Sequence, residues 1–274
     1  MDSLLTIDLD RTFYEKNPKA YKLLPKFVMN YLKRIVHQDE VNEILTAYGG
    51  NHRGLSFNRK VLEHLKISYE TKNEENLPPK DGRYIFVSNH PLGGLDGIVL
   101  IDFIGHHYGN VKFVVNDLLM YLTPLTDVFA PINKLGRQSS DYVIGIDELY
   151  SSDKQVLYFP AGLCSRKIKG EITDMEWKKS FVAKAIKYKR DVVPLYFNGQ
   201  NTNFFYNLSN FRKFLGIKTN IELLYLSDEM FGKRGARFQV TVGESIPYQN
   251  LHEMGIKQSI GYVRNRVYAM RPVK

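Results

Sequence analysis

The sequence predicts an α/β fold, in which a mainly parallel central sheet is flanked by helices and follows an N-terminal amphipathic helical segment. From residue 84 onward, short β-rich runs alternate with helical patterns, which is typical of parallel strands connected by covering helices. Apolar residues make up 43% of the chain and charged residues 24%, as in an ordinary folded protein. A chain of 274 residues can bury the core of one such domain with a small helical appendage.

Residues 15–48 are predicted to be helical. Apolar residues recur there at helical spacing along one stripe: Leu24, Phe27, Val28, Tyr31, Leu32, Ile35 and Val36. Basic residues flank this stripe: Lys22, Lys26, Lys33 and Arg34. A proline at position 25 is tolerated only near the first turn of a helix, and a second short helix, Val41–Tyr48, ends before two glycines. Two interpretations stay open: a basic amphipathic helix lying on anionic lipid, or a helix packed on the domain core.

A polar segment, Thr71–Gly82, has the composition of a linker and predicts a division into an N-terminal helical segment, 1–76, and an α/β domain, 77–274. Seven β-rich runs after this segment predict strands: Tyr84–Val87, Lys112–Val115, Val128–Ile132, Val156–Phe159, Val192–Phe197, Ile221–Leu226 and Phe238–Val242. Helices are expected near Gly97–His107, Tyr142–Ser151 and Trp177–Lys189. A last helix carries Ile256, Ile260, Val263 and Val267 on one face.

Lysine and arginine number 38 against 29 aspartates and glutamates, so the net charge is +9. This excess favours an anionic partner, such as an anionic membrane surface or an acidic carrier protein. No nucleic-acid partner is expected, because zinc-finger spacing and aromatic RNA-binding signatures are missing. The first residues do not read as a signal peptide, no apolar run approaches about 20 residues, and Cys164 stands alone. We therefore expect a cytoplasmic protein that is peripheral on the inner face of the cytoplasmic membrane.

The run Ser88–Gly97 contains the residues best suited to catalysis. His90 follows a predicted buried strand, and Asp96 stands six residues further on. An imidazole with a pKa near ~6.5 can act as a general base at neutral pH, and a carboxylate can orient it. Gly93 and Gly94 allow the turn that brings the two side chains together. The alternative is a strand-to-helix turn in which Asp96 only caps the next helix.

Three further loops follow predicted strands, and in open α/β sheets ligands bind at the carboxyl ends of strands. One loop carries Lys134 and Arg137. The next is Phe159-Pro160-Ala161-Gly162, with Arg166 and Lys167 close behind. The last is Asn198-Gly199-Gln200-Asn201. No metal site is expected, since the adjacent His106 and His107 point to different faces of a helix without a carboxylate cluster.

Four segments resemble, in this order, the four sequence blocks of glycerolipid acyltransferases over about residues 84 to 200: Asn89-His90 through Asp96, the basic loop at 131–137, Phe159-Pro160-Ala161-Gly162, and Val193-Pro194. The longer runs N-H-P-L-G-G-L-D-G and F-P-A-G-L-C-S-R-K, with L-S-D-E-M-F at 226–231, resemble a narrower bacterial branch. Members of that branch are often labelled haemolysin or glycerol acyltransferase. The branch is similar to the O-acyltransferases that complete ornithine and glycine lipids.

The resemblance implies that His90 is the general base and Asp96 its orienting carboxylate, with acyl carrier protein or coenzyme A thioesters as acyl donors and no cofactor. It implies that the hydroxyl nucleophile belongs to a lyso-lipid acceptor and that backbone N–H groups near Gly162 receive the oxyanion. The remaining substrate-binding candidates are the other residues of these loops: Asn89, Gly93, Gly94, Lys134, Arg137, Phe159, Pro160, Arg166 and Lys167.

Two departures from the family pattern bear on the acceptor. The usual first block places four residues between the histidine and the aspartate, whereas five separate His90 from Asp96. The usual third block is F-P-E-G, whereas position 161 is alanine here. Both departures favour an acceptor with a head group other than glycerol phosphate, such as an N-acylated amino acid that bears a hydroxyl. The alternatives are a lysophospholipid acyltransferase and a non-catalytic lipid-binding or haemolysin-like protein.

Overall fold

The computed structural model describes residues 6–132 and 140–272 of the chain. These residues form nine strands: β1 (Ser68–Lys72), β2 (Tyr84–Ser88), β3 (Val111–Asn116), β4 (Phe129–Ile132), β5 (Gln155–Tyr158), β6 (Arg166–Ile168), β7 (Glu171–Thr173), β8 (Asp191–Asn198) and β9 (Arg237–Val242). Seven of them form one sheet in the order β1-β9-β8-β2-β5-β3-β4, and β6 and β7 form a separate antiparallel hairpin. Only the β8–β9 pair of the large sheet is antiparallel.

Twelve α-helices surround the sheet in the described part: α1 (Leu9–Lys16), α2 (Pro18–Leu23), α3 (Lys26–Ile35), α4 (Gln38–Tyr48), α5 (Gly54–His64), α6 (Leu95–Tyr108), α7 (Ser140–Ser151), α8 (Ser180–Tyr188), α9 (Asn203–Phe214), α10 (Leu226–Phe231), α11 (Tyr248–Met254) and α12 (Ile256–Ala269). In residues 6–132 and 140–272, every helix is too short or too polar to cross a bilayer.

The central strands of the sheet are buried on both faces, so β2, β5 and β8 read mostly as apolar runs. In β2, Phe86 packs into the core shared with α4, α5 and α6, whereas Ile85 and Val87 pack into the core shared with α8, α11 and α12. Successive side chains of a strand point to opposite faces, which explains the two cores. The result is a three-layer α/β architecture with β2 near its centre, as the sequence predicts.

Six of the seven predicted strands are confirmed, and the prediction for Ile221–Leu226 is wrong. That segment is a 3₁₀ turn, Ile221–Tyr225, followed by α10. Glu222 is fully buried there between two arginines, and this long-range pairing overrides the β-rich composition. The sequence pattern also missed α5, the polar edge strand β1 and the short β6–β7 hairpin.

The predicted N-terminal helix is divided into α2, α3 and α4, with part of α1 before them. Pro25 directly precedes α3 at φ −60°, and His37 separates α3 from α4 in the left-handed region at φ +53°. The apolar stripe divides as well, because Ile35 is buried while Phe27 is 74% exposed. The boundary at residue 76 stays a prediction, although β1 on its N-terminal side pairs in parallel with β9.

Candidate active site

His90 lies just beyond the carboxyl end of β2, between the ends of two parallel neighbours. Val87 pairs with Tyr158 of β5 and with Pro194 of β8, so the loops after these strands emerge at the same edge of the sheet. The first, third and fourth predicted loops therefore converge here. Lys134 and Arg137, the candidates of the second loop, lie outside the described residues.

The imidazole of His90 is hydrogen-bonded to the carboxylate of Asp96, as the sequence predicts. Nδ1 of His90 lies 2.9 Å from Oδ2 of Asp96, whose side chain is fully buried in the first turn of α6. The same carboxylate accepts the N–H groups of Leu92 (2.9 Å), Gly93 (3.4 Å) and Gly97 (2.9 Å). These donors fix the carboxylate, which in turn fixes the imidazole with Nδ1 inward. Asp96 therefore does more than cap a helix.

The opposite edge of the imidazole is open. The ring stacks on Phe159 with centroids 4.0 Å apart and planes 17° apart, and the His90 side chain is 12% exposed. Within the part of the chain that the structure describes, Nε2 of His90 has no hydrogen-bond partner. This nitrogen is thus the atom through which His90 can exchange a proton with a substrate.

The backbone of His90 is anchored by residues that sequence reasoning missed. Its N–H donates to Oδ1 of Asp174 (3.2 Å), and its carbonyl accepts the N–H of Ser165 (2.7 Å). The Ser165 hydroxyl and the Trp177 indole N–H both donate to the same buried Asp174 carboxylate, at 2.6 Å and 2.9 Å. The first and third loops are therefore joined through Asp174. Asp174 and His90 are 84 residues apart in the sequence, and no local pattern encodes a contact of this kind.

The two glycines of the turn have different surroundings. Gly93 has φ +82°, and a Cβ there would lie 2.8 Å from Leu226 Cδ2 and 3.2 Å from Cys164 Cβ. Gly94 precedes α6, and a Cβ there would meet nothing within 4 Å. The turn thus requires glycine at position 93. Position 94 faces open space, which accommodates the additional residue that this chain has between His90 and Asp96.

In the third loop, Phe159 forms the wall behind His90, and the carbonyl of Pro160 accepts the N–H of Lys178 (3.0 Å). Gly162 has φ +65°, and its own N–H donates to the Phe159 carbonyl (3.0 Å). In this conformation the Gly162 N–H is committed within the turn. The expectation that N–H groups near Gly162 receive the oxyanion therefore stays a prediction that concerns the neighbouring N–H groups of this loop.

Arg166 also departs from expectation. Its guanidinium is buried, donates to Glu222 Oε1 (2.9 Å) and the Cys164 carbonyl (2.7 Å), and leaves almost no surface for a substrate. Glu222 pairs with Arg212 as well (2.8 Å). Burial by itself raises the pKa of the Glu222 carboxyl, but the hydrogen bonds from the backbone and Arg212 and the Arg166 charge outweigh it and lower the pKa. The three residues form a buried ion-pair network that fastens α9 to the third loop.

The two remaining candidates beside the loops have structural surroundings. The Asn89 amide donates to the Phe197 carbonyl (2.9 Å) and accepts the Phe197 N–H (2.7 Å), so it extends the pairing of β2 with β8. Lys167 is half-buried on the hairpin strand β6 and does not line the cavity at His90. Cys164 is buried, and burial raises the pKa of its thiol to about 11, so it is protonated at neutral pH.

A cavity of about 450 Å³ opens beside His90. Its wall is mostly apolar and includes Phe113, Val115, Leu119, Ile132, Ile146, Tyr150, Tyr158 and Phe159. Two cations of the described residues reach it. Lys184 is paired with Asp147, whereas Nζ of Lys178 has no partner among the described residues. Residues 6–132 and 140–272 contain no cluster of three side chains able to hold a metal ion.

Residues 11–273 match the family model described as Acyltransferase. A lyso-glycine lipid O-acyltransferase of Bacteroides thetaiotaomicron is 50% identical over 271 residues, which cover 98% of this chain and 99% of that protein. A lyso-glycine lipid O-acyltransferase of Phocaeicola vulgatus is 48% identical, covering 98% of this chain and 96% of that protein.

The fold is similar to that of the 1-acyl-sn-glycerophosphate (LPA) acyltransferase PlsC of Thermotoga maritima, with a TM-score of 0.51 over 91% of this chain and 99% of that one. At 17% identity this likeness concerns the fold alone, and it confirms the predicted α/β class. The family model and the two relatives extend over nearly the whole length, well beyond the four loops. The chain belongs to the acyltransferase family.

Proposed function

We propose that this acyltransferase moves a fatty acyl group from a thioester to the hydroxyl of a lyso-amino-acid lipid of the glycine type. One observation carries the proposal: the His90–Asp96 pair presents, beside an apolar cavity, an Nε2 that has no hydrogen-bond partner among residues 6–132 and 140–272. The acceptor class is proposed from the two relatives named lyso-glycine lipid O-acyltransferase.

In the proposed reaction, Nε2 of His90 takes the proton of the acceptor hydroxyl as its oxygen attacks the thioester carbonyl carbon. Asp96 accepts the Nδ1–H and stabilises the imidazolium that forms. When the tetrahedral intermediate collapses, the C–S bond breaks, and the departing thiolate receives the proton from Nε2. The products are an ester and a free thiol. No covalent acyl-enzyme is required, because the nucleophile belongs to the acceptor.

Lys178 is suited to bind the carboxylate of the acceptor. A glycine head group carries one negative charge, and Lys178 is the cation of the cavity whose Nζ is unpaired within the described residues. Its backbone is tied to Pro160, next to the phenylalanine that stacks on His90. The apolar wall of the cavity suits a fatty chain.

The acyl donor is proposed to be acyl carrier protein or coenzyme A, with the +9 net charge favouring an acidic carrier. We further propose that the protein acts in the cytoplasm, peripheral on the inner face of the cytoplasmic membrane, where its lipid substrates are embedded.

A lysophospholipid acyltransferase is the second candidate, the alternative that the sequence left open. The burial of Arg166 against Glu222 speaks against it, because the third loop then lacks a free guanidinium for a phosphate. A non-catalytic, haemolysin-like role is the third candidate, and the ordered His90–Asp96 pair speaks against that role.

The test is transfer by the purified protein from both thioester donors to a panel of lyso-glycine lipid, lyso-ornithine lipid and lysophosphatidic acid. We expect the highest kcat/KM with lyso-glycine lipid. His90→Ala should lower kcat by about 10²–10⁴-fold, the usual contribution of a general base. Transfer to lysophosphatidic acid alone would overturn the acceptor class. Activity of the His90→Ala variant within a few fold of the wild type would overturn the base.

A further inference from the structure

The outward face of α9 exposes large apolar side chains to solvent. Phe214 is 85% exposed, Phe211 59% and Phe204 53%, and Leu215 and Ile217 continue the face beyond the helix. Aromatic residues of this size are seldom left in water in such numbers on one element. The face is therefore a candidate interaction surface.

The orientation of α9 is fixed by its other side. Phe205, Tyr206 and Ser209 are buried beneath it, and Arg212 is held in the ion-pair network with Glu222. The helix cannot turn its outer phenylalanines inward without breaking these contacts. Breaking a buried ion pair leaves an uncompensated buried charge and strongly destabilises a protein, so this rotation has a high free-energy cost.

The exposed face of α9 continues onto α3 through Tyr225. The rings of Phe204 and Tyr225 lie 4.9 Å apart, and those of Tyr225 and Tyr31 lie 6.5 Å apart, with the two hydroxyls hydrogen-bonded. Phe27, one turn before Tyr31 on α3, is 74% exposed. We call this continuous region the aromatic surface, and it comprises Phe27, Tyr31, Phe204, Phe211, Phe214, Leu215, Ile217 and Leu224.

The chain segments that carry most of the aromatic surface are basic. Residues 203–220 contain three basic residues, of which Arg212 is buried against Glu222, and no acidic one. Residues 18–36 contain five basic residues, of which Lys33 pairs with Asp10, and no acidic one. Lys213 is exposed at the end of α9 and Lys218 just beyond it, and Lys22 is exposed on α2 and Lys26 at the start of α3. Exposed phenylalanines bordered by lysines suit a surface that is apolar inside and anionic outside.

The aromatic surface adjoins the catalytic turn. Leu226 follows Tyr225 in the chain, and its side chain packs against Gly93. Gly93 in turn lines the cavity at His90. A lipid that leaves a bilayer at the aromatic surface is therefore next to the turn that carries the catalytic pair.

We propose that the aromatic surface binds the face of an anionic lipid bilayer, with the phenylalanines of α9 inserted among the acyl chains. The proposal deepens the proposed function, since it names the part of the molecule that meets the membrane holding the acceptor. The α9 contribution is separate from any contribution of the N-terminal helices, because it rests on side chains nearly 200 residues later in the chain.

The test is co-sedimentation of the full chain with vesicles of phosphatidylcholine that contain about 30% phosphatidylglycerol. These vesicles have a negatively charged surface, as an anionic membrane leaflet does. No acyl donor or acceptor is added, so the result does not depend on the proposed reaction. The double substitution Phe211→Ser and Phe214→Ser should weaken vesicle binding about ten-fold or more. Tyr262→Ser on α12, an exposed aromatic residue outside the surface, is the matched control and should bind as the wild type does.

Because both phenylalanines are exposed, the double variant should keep the thermal midpoint of the wild type. Unchanged vesicle binding by a folded double variant would overturn the proposal. So would equal binding to vesicles of phosphatidylcholine alone, because the lysines would then have no part in it. A dimer in sedimentation velocity that dissociates on the double substitution would also overturn it, since the surface would then be covered by a second copy of this chain.

Discussion

Asp174 contacts three parts of the active site that are distant from one another in the sequence. It accepts the His90 N–H, the Ser165 hydroxyl and the Trp177 indole N–H. The catalytic pair itself could be found from the sequence, because both side chains lie within one strand-to-helix turn. Asp174 could not be found in that way, because its partners come together only when the loops after β2 and β5 meet.

The two glycines of the catalytic turn lead to opposite predictions. Gly93→Ala places a Cβ against Leu226 at a left-handed φ, and we expect it to lower the free energy of unfolding by about 1–3 kcal/mol and to reduce kcat. Gly94→Ala adds a methyl group in open space, so its cost should be smaller. Urea unfolding and steady-state kinetics of the two variants provide the measurement. Equal losses in both variants would contradict the geometry of the turn.

Lys178 and Lys179 form a matched pair for testing the acceptor's carboxylate. Both lysines are exposed, but Lys178 lines the cavity and Lys179 does not. Lys178→Gln should raise the KM for lyso-glycine lipid about ten-fold, because a charged hydrogen bond contributes about 1.5–3 kcal/mol, while kcat changes little. The methyl ester of the acceptor should not distinguish Lys178→Gln from the wild type, and Lys179→Gln should act as the wild type on both acceptors. A raised KM for the thioester instead would assign Lys178 to the donor.

At the level of elements, α10 and the α3–α4 junction are held together by His37. Its Nε2 lies 2.9 Å from Asp228 on α10, its Nδ1 bonds to Glu40 on α4, and its ring stacks on Phe231 with centroids 4.5 Å apart. Burial lowers the pKa of the imidazole, but the hydrogen bonds to the two carboxylates outweigh it and raise the pKa above its ordinary value. Arg234 also pairs with Glu40 and shares this junction.

This junction predicts a pH dependence of stability. A raised pKa in the folded state means that His37 stabilises the fold fully below about pH 6.5, and that the stabilisation is lost as the pH rises through the raised pKa. We expect the free energy of unfolding to fall by no more than about 1 kcal/mol over that interval. His37→Asn, which tolerates a left-handed φ, should remove this component, while His106→Asn on α6 should keep it. An unchanged pH profile in His37→Asn would contradict this role.

The sequence predicted the buried strands more accurately than the exposed ones. The strands β2, β3, β5 and β8 are mostly buried and rich in apolar residues, so their positions were predicted to within one or two residues. The edge strand β1 has the sequence S-Y-E-T-K and is partly exposed, and such a strand carries no apolar run. The 221–226 segment shows the reverse case, in which apolar residues surround a buried glutamate and form a turn instead of a strand.

For the whole molecule, the α/β class followed from the alternation of strand and helix patterns, and the position of the catalytic pair followed from the rule that ligands bind at the carboxyl ends of strands. The sequence did not predict that β9 and β1, at one edge of the sheet, run antiparallel to the other five strands. Nor did it predict the aromatic surface, because the sequence pattern alone does not show which apolar side chains of α9 are left uncovered. Which of several apolar faces remains uncovered depends on how α3, α9 and the 221–225 turn meet.

The pairing of β1 with β9 also constrains the order in which the chain acquires its structure. Ser68 pairs with Arg237, so the sheet edge that contains β1 is completed only after the ribosome has added the intervening residues. At about 5–20 residues per second, this leaves β1 without its partner for roughly 8–30 s of synthesis. The charged glutamate and lysine of its S-Y-E-T-K sequence disfavour pairing with another chain during that interval, as charged side chains do on exposed strand edges.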